Sequence, residues 1–235
     1  MQSSAPKRFY KQAGILEVAD GYGVALDGRA VKTPAGAEFR MPSRALAKAV
    51  SAEWAAQGER ILPSAMPLTQ FAFAAIDHTP GRRDELVRHV AKYGETDLCC
   101  HRASEPAALA ARQAAAWDPL LGWVRSEFDL DLPVIVGVIA AKIDVATLDR
   151  LVHLARAQDD FRLTLLAHAT GLAGSAIIGL ALAHARIDGA QAYDAATVDE
   201  HWSIERWGED DEARARLERM RAEFDTVAKF AAALA

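Results

Sequence analysis

Residues 199–210 read Asp-Glu-His-Trp-Ser-Ile-Glu-Arg-Trp-Gly-Glu-Asp, which sets Trp202 and Trp207 among acids that include Glu200 and Glu205. The chemistry available to such a run is recognition. A large ring covers much area with few rotamers to freeze, and fixed charge beside it selects the partner. The competing reading makes the rings core and the acids a solvated helix start, which burial preferences alone favour.

Residue types for catalysis are present without the spacing that catalysis needs. No G-x-x-x-x-G-K-[ST] phosphate loop occurs, and Gly21-Tyr22-Gly23 lacks the third glycine of a dinucleotide site. Ser175 lies in Ala-Gly-Ser-Ala-Ile, outside any G-x-S-x-G elbow. Cys99, Cys100 and His101 are consecutive, and consecutive residues seldom converge on one ion. No second Cys/His pair completes four ligands. The Asp159-Asp160 pair reads as helix-start acids and Asp129 and Asp131 as turn residues. His168 reads as a satisfied core residue. No cofactor or metal is expected.

The elements that must position the tryptophan–acid run change in kind along the chain. Runs at 15–18, 23–26 and 30–33 are separated by Asp20-Gly21 and Asp27-Gly28, the sequence mark of two hairpins with positive φ at glycine. A fourth run at 38–41 completes a small antiparallel sheet. From Ser43, an N-cap, the period becomes helical, with Leu46, Ala49, Val50 and Trp54 on one face and Gly58 as the stop. Helices are expected over 67–76 and 82–93. A further one at 109–128 is expected to break at Asp118-Pro119, where an N-cap followed by Pro starts a new helix. The segments 144–158, 160–186, 194–206 and 208–234 complete the set, and 134–140 is either a strand or a buried connection. The fold class is α+β: an amino-terminal sheet with helices over 1–104, then a helical bundle over 105–235. Trp54, Trp117 and Asp118 are expected to be structural.

Composition sets outer bounds. The 235 residues are 51% hydrophobic and 25% charged, a globular balance. A net charge of −5 argues against nucleic acid, which calls for a basic stripe. Adjacent cysteines cannot staple distant segments, which suits a reducing compartment. The first six residues carry no apolar signal-peptide core, so a cytoplasmic location is expected. The stretch 164–183 has His168 as its one ionisable side chain and is long enough to span a bilayer. Its glycines, Thr170 and Ser175, and the lack of an aromatic belt, make it a buried central helix instead, without membrane insertion.

Several pieces in order carry a family resemblance. Arg8-Phe9-Tyr10-Lys11, Leu26-Asp27-Gly28-Arg29 and Lys32-Thr33-Pro34 open it. Glu53-Trp54 with Gln57, Met66-Pro67-Leu68-Thr69, Thr96-Asp97-Leu98, Glu105-Pro106, Gln113 and Trp117-Asp118-Pro119 continue it, and Asp199-Glu200 and Trp207-Gly208-Glu209 close it. Over about residues 7–215 the chain resembles the assembly chaperones of the ATP synthase F(1) head, specifically those for the alpha subunit. It departs from the pattern at Cys100-His101. The resemblance implies an amino-terminal α+β domain and a carboxy-terminal orthogonal helical bundle. It further implies a non-enzymatic protein that binds free alpha subunit and shields the surface later covered by beta subunit; the free protein is expected to be monomeric. The family's important acid near the last tryptophan maps onto Glu200, with Trp202, Glu205 and Trp207 beside it as partner-binding candidates. The alternative from another class is a small-molecule or metal-binding enzyme or regulatory domain centred on Asp97, Cys99 and His101.

Overall fold

The computed structural model describes residues 5–137 and 143–234. The chain divides into two compact units, Met1–Arg82 with Lys229–Ala235, and Arg83–Ala228; residue 104 therefore falls inside the second. The protein is α+β, as its sequence implies.

The first unit holds β1 (Ala13–Val18), β2 (Gly21–Leu26) and β3 (Arg29–Ala30) in an antiparallel sheet of that order. The second hairpin turns as expected on Asp27 and Gly28, at φ 48° and 80°. The first does not. Val18 pairs with Gly21, so the turn is Ala19-Asp20 and the positive φ, 58°, falls on Asp20. Gly21 is needed for a different reason: a Cβ there would stand 2.7 Å from the Met41 carbonyl oxygen. The run 38–41 makes two isolated bridges, Lys32 to Glu38 and Tyr22 to Met41, rather than a fourth strand.

Helix α1 (Arg44–Ala55) starts where Ser43 accepts a hydrogen bond from the Leu46 N–H, at 3.0 Å. It buries Leu46, Ala47, Val50 and Trp54, so Ala47 takes the place expected of Ala49. Glu53 points the other way and accepts from the backbone N–H groups of Leu68 and Thr69, both at 2.8 Å, at the start of α2 (Pro67–Asp77). A carboxylate there meets unpaired N–H groups and the positive end of the helix dipole.

Among its described residues the second unit is helical apart from β4 (His101–Arg102) and β5 (Ile135–Val136), which pair in parallel, and the connecting turns. Of the run 134–140, Ile135 and Val136 form that short strand, and 138–140 lie outside the described residues. Helix α3 (Thr79–Glu95) leads in from the first unit, and α4 (Ala107–Phe128) follows. The break expected at Asp118-Pro119 is absent, because Pro119 sits inside a continuous helix. Asp118, expected to cap, instead accepts from Arg102 Nη2 at 2.5 Å. Trp117 donates its Nε1–H to the Ala195 carbonyl at 2.7 Å and is 1% exposed. A proline removes one helix hydrogen bond, and the tertiary contacts of the two residues before it outweigh that cost.

Helix α5 (Val145–Arg156) is capped by Asp144 and leads to α6 (Asp160–Ala173) and α7 (Ala176–Ala183). The single helix expected over 160–186 is thus two. Gly174 takes φ 66° to close the first, and Ser175 caps the second by accepting from the Ile178 N–H at 3.0 Å. The two pack so closely that a Cβ on Gly179 would stand 2.5 Å from Thr170 Oγ1. Leu163, Leu165, Leu166, Ile177, Ile178 and Leu180 are buried here, each contributing about 1.5–3 kcal/mol. Among the described residues no helix is long and apolar enough to cross a membrane. The single helix expected over 194–206 is divided at Thr197, and its first residues end α8 (Gly189–Ala196), which a reciprocal Asp188–Gln191 cap opens. Helices α9 (Val198–Trp207) and α10 (Asp211–Leu234) finish the chain.

Candidate functional site

Helix α9 carries the tryptophan–acid run. Its first turn holds Asp199 and Glu200, where negative charge is favoured, and Gly208 ends it at φ 84°. Glu200, Ser203, Ile204 and Trp207 recur at helical spacing and line one groove of about 720 Å³. Leu98, Leu172, Leu217 and Met220 form apolar parts of the same lining, and Arg216 adds one cation. The Trp207 ring is 78% exposed. The Glu200 side chain is 37% exposed and stands 3.8 Å from Arg216, beyond hydrogen-bond reach. Large apolar surface beside a half-free carboxylate is suited to an amphipathic cation.

The other two candidates are committed within the chain. Trp202 is 8% exposed, with the Arg206 guanidinium 4.3 Å and that of Arg112 5.0 Å from its ring centroid. Glu205 faces a second cavity of about 650 Å³ and holds Arg112 in a two-pronged bond, at 2.7 and 2.9 Å. That hydrogen bond pulls the Glu205 carboxyl below its ordinary value. Asp199 accepts from Gln113 Nε2 at 2.7 Å, and Gln113 Oε1 accepts the Ala103 N–H at 2.7 Å. Helix α9 is therefore fastened to α4 through Asp199, Trp202 and Glu205, and it turns Glu200 and Trp207 outward. Sequence spacing alone did not single out Arg112 or Arg216, because each meets its partner only through the fold.

Asp97, Cys99 and His101 do not form a reactive centre. Asp97 is fully buried and accepts from Ser175 Oγ at 2.6 Å, Cys99 N–H at 3.0 Å and Ile177 N–H at 3.2 Å. It ties the turn at 98–100 to the start of α7, with burial raising its carboxyl and those donors opposing the rise. Burial also pushes both thiols up, Cys100 to about 12, so neither supplies a thiolate at neutral pH. His101 Nδ1 lies 3.2 Å from the Gly137 carbonyl. Among the described residues no group of three His, Cys, Asp or Glu side chains is placed to hold a metal. His168 is half-buried and meets Glu223 at 2.8 Å, so it is a partnered residue at the edge of the core.

Residues 7–125 match the profile of the ATP12 chaperone protein family. The crystal structure of Atp12 from Paracoccus denitrificans is 37% identical with a TM-score of 0.93, covering 98% of this chain and 99% of that one. A point mutant of P. denitrificans Atp12p is 36% identical, with a TM-score of 0.93 and 98% of each chain covered. A chaperone candidate from Agrobacterium tumefaciens is 34% identical with a TM-score of 0.89, covering 98% of this chain and 87% of that one.

Proposed function

This chain belongs to the ATP12 chaperone family, and on that footing we propose that it is an assembly chaperone of ATP synthase. It captures the free alpha subunit of the F(1) head, shields the beta-facing surface, and hands the subunit over as the alternating hexamer closes. The observation that carries the reading is the outward pairing of Trp207 and Glu200 along one groove of α9.

An obligate subunit interface resembles a core cut in half, and such a surface aggregates when left bare. A chaperone must cover it reversibly. Trp207 is the ring anchor, the apolar lining of the groove takes aliphatic side chains, and Glu200 meets a basic group of the alpha subunit. Release needs no nucleotide bound to the chaperone, because beta subunit competing for the same surface displaces it by mass action. The protein works by binding and catalyses no reaction. It acts as a monomer in the cytoplasm of a bacterium, a setting that the bacterial origin of its similar structures supports.

The test is co-expression of alpha subunit with this chain in the absence of beta. Soluble alpha that co-purifies with the chain, and leaves it when beta is added, is the expected result. Alpha that stays insoluble, or remains on the chaperone at excess beta, refutes the capture or the handover respectively.

A further inference from the structure

The first unit carries a groove of about 730 Å³ that the reading above does not use. Phe9, Leu26, Arg29, Ala30, Lys32 and Trp54 line it. Three features there are unmet. First, Trp54 lines the groove, and its Nε1–H, closed to solvent, has no acceptor among the described residues. A buried donor left unpaired costs about 1–3 kcal/mol, so a shift of the ring that opens this N–H to an acceptor is compensated when the acceptor arrives.

Second, β3 is the edge of its sheet. Leu26 pairs with Arg29 across the two-residue turn, and the Val31 N–H donates to Val24 at 2.9 Å. Hydrogen-bonded and non-hydrogen-bonded pairs alternate in an antiparallel ladder, so the N–H and C=O of Ala30, between them, point to the edge, which stays open there as far as the Lys32–Glu38 bridge. Third, the lining holds two cations against one carboxylate. Arg29 and Lys32 have no anionic partner among the described residues. The one carboxylate in the lining, Asp27, is turned to the backbone N–H groups of Gln12 at 2.8 Å and Lys11 at 3.1 Å, which hold it ionised. Residues 1–82 carry ten Lys and Arg against seven Asp and Glu, whereas the whole chain is net −5. Phe9 lies over the groove with 75% of its surface exposed.

We propose that this groove is a second protein-docking site, which takes an extended acidic segment of a partner as an added strand on β3. The segment's backbone pairs with Ala30, its carboxylates meet Arg29 on one face of the edge and Lys32 on the other, an apolar neighbour packs on Phe9 and Leu26, and a shift of the Trp54 ring lets an oxygen accept its indole N–H. Strand addition draws affinity from main-chain bonds and specificity from the side-chain positions beside them. The site is independent of α9 and stands whether or not α9 captures the alpha subunit.

The probe is the fluorescein-labelled peptide acetyl-Asp-Phe-Glu-Val-Asp-amide, titrated onto the full-length chain with its lysine-for-acid counterpart as control. Anisotropy reports binding, and ¹⁵N-resolved indole resonances report its location, with Trp54→Phe used to assign the Trp54 signal. The acidic peptide should shift the Trp54 Nε1–H downfield in a saturable way by about 1 mM, and the lysine peptide should not. Reversing Arg29 and Lys32 together (R29E, K32E) should weaken the acidic peptide by about tenfold or more. The Glu200→Lys variant should bind the peptide as wild type does. No saturable shift at Trp54, equal binding of both peptides, or an unchanged affinity in the double variant overturns the proposal.

Discussion

Trp202 and Trp207 lie five residues apart on one helix, and truncating each should have opposite consequences. The Trp202 ring is 8% exposed between two guanidinium groups, whereas the Trp207 ring is 78% exposed. Deleting a buried aromatic costs about 3–5 kcal/mol. In a chain of this size each kcal/mol moves the melting temperature by about 2–4 °C, so Trp202→Ala should lower it by roughly 6–20 °C. Trp207→Ala removes a ring already in water, and a surface change of that kind stays within about 0.5 kcal/mol, or about 2 °C. A tryptophan anchor at an interface is worth about 2 kcal/mol or more, which is roughly thirtyfold in affinity. Circular-dichroism melts and the yield of soluble alpha subunit on co-expression, measured on the same two variants, separate these effects. Trp207→Ala should melt as wild type and lose most of the soluble alpha. A Trp207→Ala protein that melts as low as Trp202→Ala, or that retains full capture, refutes the division of α9 into a fastened side and a presenting side.

Trp117→Ala should cost about 3–5 kcal/mol, because it removes a buried ring and strands the Ala195 carbonyl; a calorimetric melt close to wild type contradicts that. His184 packs against Trp123 and Phe128, and burial, followed by the charge of Arg162, holds its pKa below the usual 6.5. The unfolded chain then takes up a proton before the native one does, so stability is full above pH 6.5 and falls as pH drops towards the lowered native pKa. His184→Phe should remove that part of the pH dependence, and an unchanged profile speaks against it. For Glu205 the Arg112 hydrogen bond lowers the native pKa, so its contribution is present above the unfolded value of 4.5 and is lost as pH falls through the native value. The gap in melting temperature between wild type and Glu205→Gln should therefore close below pH 4.5; a gap that persists in acid shows that the pair is not its origin.

What the sequence made legible was local. The Asp27-Gly28 turn, the Ser43 cap and the outline of α9 follow from residues within four positions of one another, where turn and cap chemistry operates. The division of 160–186 was also written locally, as Gly174 followed by Ser175, a stop and then a start, but the continuous apolar run masked it. Pro119 shows the opposite case: the local signal is a helix start, and contacts of Trp117 with Ala195 and of Asp118 with Arg102 override it. The partners of the site are more distant still. Glu205 meets Arg112 across 93 positions and Asp199 meets Gln113 across 86, separations at which residue type gives no pairing rule. Hence the sequence drew attention to Trp202, Glu205, Glu200 and Trp207 alike, and only the fold separates the pair tied to α4 from the pair turned outward.

The central claim is that the outward face of α9 holds the alpha subunit through Glu200, and one charge reversal tests it. Among the described residues Glu200 meets nothing more closely than Arg216 at 3.8 Å, so Glu200→Lys, which sets a cation at the positive end of α9, costs about 1 kcal/mol and should lower the circular-dichroism melt by no more than about 2–4 °C. Placing a like charge against a basic group of the partner costs several kcal/mol at a buried contact, enough to weaken binding more than about tenfold. Soluble alpha subunit on co-expression with Glu200→Lys should fall to the level seen without the chaperone, with the melt lowered by no more than those few degrees. A full yield of soluble alpha with that variant contradicts the account.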